Sequence, residues 1–344
     1  MEQLQGRNVN TIWPQALRLI KDEGISRTSR NGAVREINGP VTTVYDRPQE
    51  RVLFDDLRDA NPFFHLFESL WILAGRDDVA FPAQFCERLK DYSDDGVTFH
   101  GAYGYRLRKT DGDQFAKVVA LLRAEPDSRR AVIQIWDAAH DLGHDGKDVP
   151  CNTQLFLKLR DGALQMTVSN RSNDIVWGLY GANVVQWSIV QEYLAAQLGV
   201  TMGPLTTVSD SFHIYESHPV WAAIVKRTSF PALADPYASR HVCPYPLVDV
   251  PGRFDDELTE FLNDPLDELG EMFPKREGRR NSFFWAVAVP MYRAWIAHKK
   301  GKDGAQHLLS CQATDWRHAG LKWLARRNDI LTRTQEAQLH AAQV

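Results

Sequence analysis

Two alternating runs face each other across an Asp-Gly pair in "TQLFLKLRDGALQMTVSNRSND", residues 153–174. Leu155, Leu157 and Leu159 alternate with Phe156 and Lys158; Leu164, Met166 and Val168 follow beyond Asp161-Gly162. A period of two on both sides of a turn pair specifies a half-buried β-hairpin. The ends of this hairpin do not look like packing residues. Pro150-Cys151-Asn152 precedes it, and the polar knot Asn170-Arg171-Ser172-Asn173-Asp174 closes it.

The rest of the chain is consistent with a large core. It has 344 residues, 44% of them apolar, enough for one big domain or two ordinary ones. The net charge of −4 argues against a general nucleic-acid coat protein and leaves room for a local basic pocket. The opening "MEQLQGRNVNTIWPQALRLIKDEG" has charges and no long apolar run, so no signal peptide is expected. No window approaches the run of about 18 apolar residues that would suggest a membrane span. The expected compartment is the cytoplasm, the host's if the chain is phage-encoded. Cys86, Cys151, Cys243 and Cys311 lie far apart with no C-x-x-C pair, so neither a disulfide framework nor a zinc finger is expected. Any one of them is free to be a nucleophile.

The coarse pattern is mixed. "TIWPQALRLIKDEG" reads as a helix with Ile12, Ala16, Leu17 and Ile20 on one face and Gly24 as its stop. "GAVREINGPVTTVYD" carries a hairpin-type turn signal at Asn38-Gly39. "NPFFHLFESLWILAGRDD" reads as a helix capped by Asn61 with Pro62 behind it and ended by Gly75. "GDQFAKVVALLRAEPDSRRAVIQIWD" reads as helix, turn, then a strand from near Ala131. "GANVVQWSIVQEYLAAQLGV" reads as a long buried helix closed by Gly199, and "PLTTVSDSFHIYESH" as one further strand. From about Pro251 the chain becomes helical, first acidic, then rich in Trp. The reading is an α/β (α+β) body over 1–250 with a helical C-terminal extension over 251–344.

Several residues could carry chemistry. Cys151 has polar neighbours, and arginines that converge on it would lower the thiol pKa toward the thiolate; the bland alternative is a small buried hydrophobe. Arg171-Ser172 and Arg129-Arg130 suit an anion, since the guanidinium fork matches phosphate oxygens, or else they are solvated charges. Glu68 interrupts an apolar helix face, so it is either functional or on an exposed helix edge. His213 and Tyr215 share one strand face as a core pair or as ligand contacts. His140 and His144 sit in a loop without a clear third ligand, so no metal is expected.

In this order the pieces resemble the thymidylate synthase superfamily, which includes the pyrimidine nucleotide hydroxymethylases. The resemblance covers roughly residues 12 to 220. "FESLWILAGRDD" looks like the family's glutamate helix, "GAYGYRLR" like its tyrosine loop, "PDSRRAVIQIWD" like its double-arginine strand, "PCN" like its nucleophile loop and "DSFHIYESH" like its sugar-binding strand. "SRNGAVREI" resembles its phosphate loop, with Arg30 the best match and Arg27 the second.

The resemblance implies a mixed β-sheet sandwich, a tight homodimer and the following roles. Cys151 adds to C6 of a pyrimidine monophosphate, and C5 then attacks the one-carbon unit of 5,10-methylenetetrahydrofolate. Tyr103 lies near the nucleophile and Glu68 moves protons on the base. Arg171, Ser172 and Arg30 hold the phosphate; Arg129 and Arg130 reach in from the partner subunit. Asp174 orders the folate, His213 and Tyr215 hold the ribose, and Asn170 belongs to the substrate-binding knot. The base reader is Ala182 if Arg171 is followed without a gap, or Asn183 if "WGLYGAN" carries one inserted residue; we favour Asn183, and uracil over cytosine. No metal, membrane or nucleic acid is implied.

Departures from the synthase pattern favour hydroxymethylation. Asn152 stands where synthases have His. "FPAQFCERLKDYSDDG" lacks the tryptophans that shelter the intermediate from water, and "LTRTQEAQLHAAQV" is unlike the usual closing tail. "RSND" resembles the hydroxymethylases. Water attack on the intermediate is then favoured over hydride transfer. The alternatives are a true thymidylate synthase, a CMP hydroxymethylase, or a silent relative that only binds nucleotide.

Overall fold

The computed structural model describes residues 2–263 and 282–327; the 331–344 tail and the second half of the acidic stretch lie outside them. Within these residues the expected hairpin forms. Strands β6 (Asn152–Arg160) and β7 (Ala163–Asn170) pair antiparallel, and both turn residues, Asp161 and Gly162, adopt positive φ, 52° and 72°. That is the twist a two-residue hairpin loop requires. Leu155, Leu157, Leu164, Met166 and Val168 are all buried on the inner face.

This hairpin is the centre of a six-stranded mixed sheet. With β1 (Glu2–Gly6), β4 (Val41–Tyr45), β5 (Val132–Gln134) and β9 (Thr201–Ser209), the order is β1-β4-β9-β7-β6-β5. A second sheet holds β2 (Ile25–Ser29), β3 (Gly32–Glu36), β10 (Phe212–Tyr215) and β8 (Asn173–Asp174), in the order β2-β3-β10-β8.

Two strand expectations are corrected here. Asn38-Gly39 does not close a hairpin, because β3 pairs with β10 while β4 pairs with β1 and β9 in the other sheet. "PLTTVSDSFHIYESH" is two strands rather than one. The chain leaves the large sheet after Ser209, where the Asp210 N–H donates to Asn170 O at 2.9 Å, and Ser211 O then accepts from Asn173 N–H at 2.8 Å. This crossing brings the polar knot between the two sheets.

Helix α1 (Val9–Glu23) begins with Asn8, whose side chain accepts from Asn10 and Thr11 N–H while Thr11 Oγ1 accepts from the Asn8 N–H. That reciprocal cap satisfies donors that the first turn leaves free. Helix α2 (Pro62–Leu73) opens on Asn61, which accepts from Phe64 N–H at 3.1 Å, and ends before Gly75 at φ 70°. Helix α3 (Gln114–Ala124) leads to β5. Helix α4 (Val184–Leu198) is buried almost throughout and ends on left-handed Gly199. It does not start the helical segment. A π-helical stretch, Ile175–Asn183, feeds directly into it, capped by Asp174.

The C-terminal helices α5 (Pro251–Asn263), α6 (Val289–Lys299) and α7 (Thr314–Ala325) are built against α2. Phe63 of α2 meets Trp295 at 5.5 Å and Trp323 at 5.6 Å between ring centroids. Lys322, Arg326 and Arg327 pair with Asp56 and Asp59 at the turn before α2. The aromatic cluster and these ion pairs hold the segment that leads into Glu68. Among the described residues no helix is long and apolar enough to cross a membrane.

Candidate active site

Cys151 sits at the mouth of the hairpin, directly before β6, and Arg171 directly after β7. The strand pairing alone therefore juxtaposes them: the Arg171 N–H donates to Cys151 O at 3.0 Å. The Arg171 guanidinium donates to Pro150 O at 2.8 Å and Val149 O at 2.9 Å, and Nη2 lies 3.8 Å from the Cys151 sulfur. Trp136 lies under the guanidinium at 5.6 Å. The expected cationic neighbour is present, yet the thiol is not lowered. Burial pushes the Cys151 pKa up, and Arg171 and Arg30 only partly oppose it.

A compartment of about 680 Å³ opens over this sulfur, lined also by Arg30, Ser172, Asp174, Asn183 and Tyr215. Arg30 is held by Gly146 O at 3.0 Å and Lys147 O at 3.3 Å. Asp174 Oδ1 accepts from Val176 N–H at 2.6 Å and Trp177 N–H at 2.7 Å, whereas its Oδ2 is buried without a partner. Tyr215 faces the compartment. His213 is buried behind it, its ring 5.5 Å from the tyrosine and its Nδ1 near Ser211 Oγ at 3.1 Å.

A second, apolar compartment of about 270 Å³ adjoins the first and shares Tyr103, Asp148, Trp177 and Asn183 with it. Glu68 projects into it from α2, beside Trp71. Its Oε2 accepts from Gln186 Nε2 at 2.6 Å, and desolvation raises its pKa to about 8. Tyr103 packs on Trp187 at 5.5 Å, and burial drives its phenol well above the usual range. Asn152 points away from the cleft: it is fully buried, and its Oδ1 accepts from Trp187 Nε1 at 3.0 Å.

The π-helical stretch places Ala182 and Asn183 differently. A π-turn takes up one extra residue without breaking the helix. Asn183 lines both compartments; Ala182 lines only the apolar one and has no polar side-chain atom to read a base. The Asn183 Nδ2 donates to Asn173 Oδ1 at 3.2 Å, and Asn173 Nδ2 donates to Ser209 Oγ at 3.0 Å.

Asn170 is not brought to this cleft, and Arg129 and Arg130, expected to serve a partner's site, lie outside it. Asn170 is buried in the sheet, where its Nδ2 ties to Val168 O and Val208 O. Arg129 and Arg130 are exposed away from Cys151, and Arg130 pairs with Glu125 at 2.6 Å. Conversely, Asp148, Trp177 and Gln186 line the site and were not singled out from sequence. Gln186 carried a usable signal, since it interrupts an apolar helix as Glu68 does. Among the described residues no group of His, Cys, Asp or Glu is placed to hold a metal ion.

Comparison with known proteins bears on this arrangement. The thymidylate synthase family profile matches residues 12–234. A deoxyuridylate hydroxymethyltransferase of Pseudomonas phage M6 is 45% identical over 341 residues, 95% of each chain. One from Bacillus phage SP01 is 39% identical over 227 residues, covering 62% of this chain and 59% of the relative. The crystal structure of thymidylate synthase from T4 phage superposes with a TM-score of 0.52 at 20% identity, over 62% of this chain and 80% of that one, a likeness of fold.

Proposed function

The chain belongs to the thymidylate synthase family, in its hydroxymethyltransferase branch, and from that premise we propose that it hydroxymethylates C5 of dUMP with methylenetetrahydrofolate as the one-carbon donor. The observation that carries this reading is the convergence of Cys151, Arg171, Asn183 and Glu68 on two adjoining compartments.

Phosphate is held by Arg171, Ser172 and Arg30 at the mouth of the hairpin. This leaves the base over the Cys151 sulfur, an orientation effect. Burial keeps the resting thiol neutral, so its proton passes to solvent water in the compartment as sulfur attacks C6, with Arg171 beside the developing charge. Addition at C6 turns C5 into a carbon nucleophile. Asn183 reads the base edge, His213 and Tyr215 hold the sugar, and Tyr103 positions the base near the sulfur. Glu68, raised to about 8, holds a proton at neutral pH and serves as the acid.

The one-carbon carrier supplies the electrophilic carbon. Its flat ring fits the apolar compartment walled by Trp71, Phe99 and Trp177, and Asp174, which lines the adjoining compartment, would order it from that side. Arg129 and Arg130 serve a second copy's site. The outward-facing pair Val132 and Phe156, about 40% exposed and opposite each other in β5 and β6, supports a partner sheet on that face.

The test is a product assay with tetrahydrofolate and formaldehyde, supplied separately with dUMP, dCMP and CMP. Gain of a hydroxymethyl group on dUMP is expected. A methyl group gained with dihydrofolate, or reaction with CMP alone, overturns the reading.

A further inference from the structure

Asp148 lies three residues before Cys151 and lines both compartments, where they meet. Its Oδ2 accepts from the Gly101 N–H at 2.7 Å. That single bond fixes the carboxylate, and its Oδ1 has no partner among the described contacts. Gly101 makes this approach possible: a Cβ there would come within 3.1 Å of both Asp148 Oδ1 and Pro150. Such a carboxylate is costly to keep in a largely apolar cleft unless it has work there.

We propose that Asp148 is a second catalytic carboxylate of this site, the base that takes a proton from the water attacking the one-carbon unit. This rests on the hydroxymethylase reading and extends it. After one-carbon transfer the base carries an exocyclic methylene at C5 and remains bound through C6 to Cys151. The water oxygen bonds to the methylene carbon, and the exocyclic π pair moves into the ring as an enolate. The water proton passes to Asp148 Oδ1. The enolate then re-forms C5=C6 and expels the Cys151 sulfur, which recovers a proton from Asp148. No oxidant or reductant is consumed.

Two carboxyl groups in one cleft can divide acid and base work when their surroundings differ. Glu68 faces burial with only the Gln186 amide in opposition. Asp148 is also raised by burial, but the Gly101 N–H and the charges of His100 and Arg106 oppose that, with Asp94 adding to it. Glu68 is therefore the group that holds its proton, and Asp148 the one free to accept.

Asp148→Asn keeps the shape and the acceptor for Gly101 while removing the base. Tritium at C5 of dUMP reports the steps before water attack; hydroxymethyl product reports the whole sequence. In a single turnover with enzyme in excess, the variant is expected to release tritium within about threefold of the parent rate and to form product about 100-fold more slowly. Added 2-mercaptoethanol should then capture the methylene as a thioether. As a check on integrity, the variant should still form the covalent complex with 5-fluoro-dUMP, which stalls before the water step. Equal losses of tritium release and product, an unchanged product rate, or failure to form that complex would each overturn the proposal. A parent enzyme that makes only methylated product refutes the hydroxymethylase reading itself, and is recognised before any substitution is made.

Discussion

The Gln186 amide donates to Oε2 of Glu68 at 2.6 Å, across the facing helices α4 and α2. Each is a polar group interrupting an apolar helix, and each accounts for the other's place. The pair has a consequence for stability. The Glu68 carboxyl is raised from 4.5 to about 8 in the fold, so the unfolded chain loses this proton first as pH rises. From about 4.5 upward the folded state therefore loses stability through this group, until about 8. Glu68→Gln should abolish turnover yet be more stable than the parent at high pH, by about 5 kcal/mol near pH 9 and by about 1 kcal/mol near pH 5. Urea unfolding at the two pH values measures the gap; a gap that does not widen contradicts the account.

Cys151 is only partly exposed and its thiol pKa is raised, whereas Cys243 is exposed. Alkylation by iodoacetamide at neutral pH should reach Cys243 at least about tenfold faster than Cys151. Arg171→Ala should slow Cys151 further, because the opposing charge is gone. Peptide mass spectrometry reads both sites, and faster labelling of Cys151 in the variant would refute the role given to Arg171.

Asn173 orients Asn183, the proposed base reader. Its Nδ2 is engaged by Ser209 Oγ, so its Oδ1 turns the Asn183 Nδ2 toward itself and leaves the Asn183 Oδ1 for the cleft. An acceptor there matches the N3–H of uracil, which cytosine lacks. Asn173→Ala should raise kcat/KM for dCMP relative to dUMP about tenfold, the scale of one hydrogen bond. Asn173→Asp keeps the acceptor and should preserve the preference. An unchanged ratio in the alanine variant would remove Asn173 from substrate choice.

Arg129 and Arg130 lie away from the Cys151 of their own chain. If they serve a second copy, Arg129→Ala mixed with Cys151→Ala should regain part of the parent activity, up to about a quarter when exchange is complete. Verified subunit exchange without recovery would show that the sites are not shared.

Much of this site was legible because its ends are one hairpin apart. Alternation around Asp161-Gly162 placed β6 and β7, and their pairing brings Cys151 to Arg171 without further information. Other features depend on contacts remote in sequence. A turn signal such as Asn38-Gly39 says that the chain bends, but which sheet each flank joins depends on β10, more than 170 residues later. Asp148 was not visible as a site residue, since only the approach of Gly101 turns it into the cleft. The thiol of Cys151 was expected to be lowered by arginines. Sequence shows such charges but not burial, which prevails here. The extra residue of the 175–183 segment was detectable as an ambiguity in counting; the wide helical turn takes it up and leaves Asn183 lining both compartments.

The most direct test of the central claim follows the oxygen. The enzyme, dUMP and preformed methylenetetrahydrofolate are incubated in water enriched in heavy oxygen, and the nucleotide product is weighed. The account predicts one hydroxymethyl group at C5 that carries the heavy oxygen, with no dihydrofolate formed. A methyl group without the label, accompanied by dihydrofolate, would contradict it.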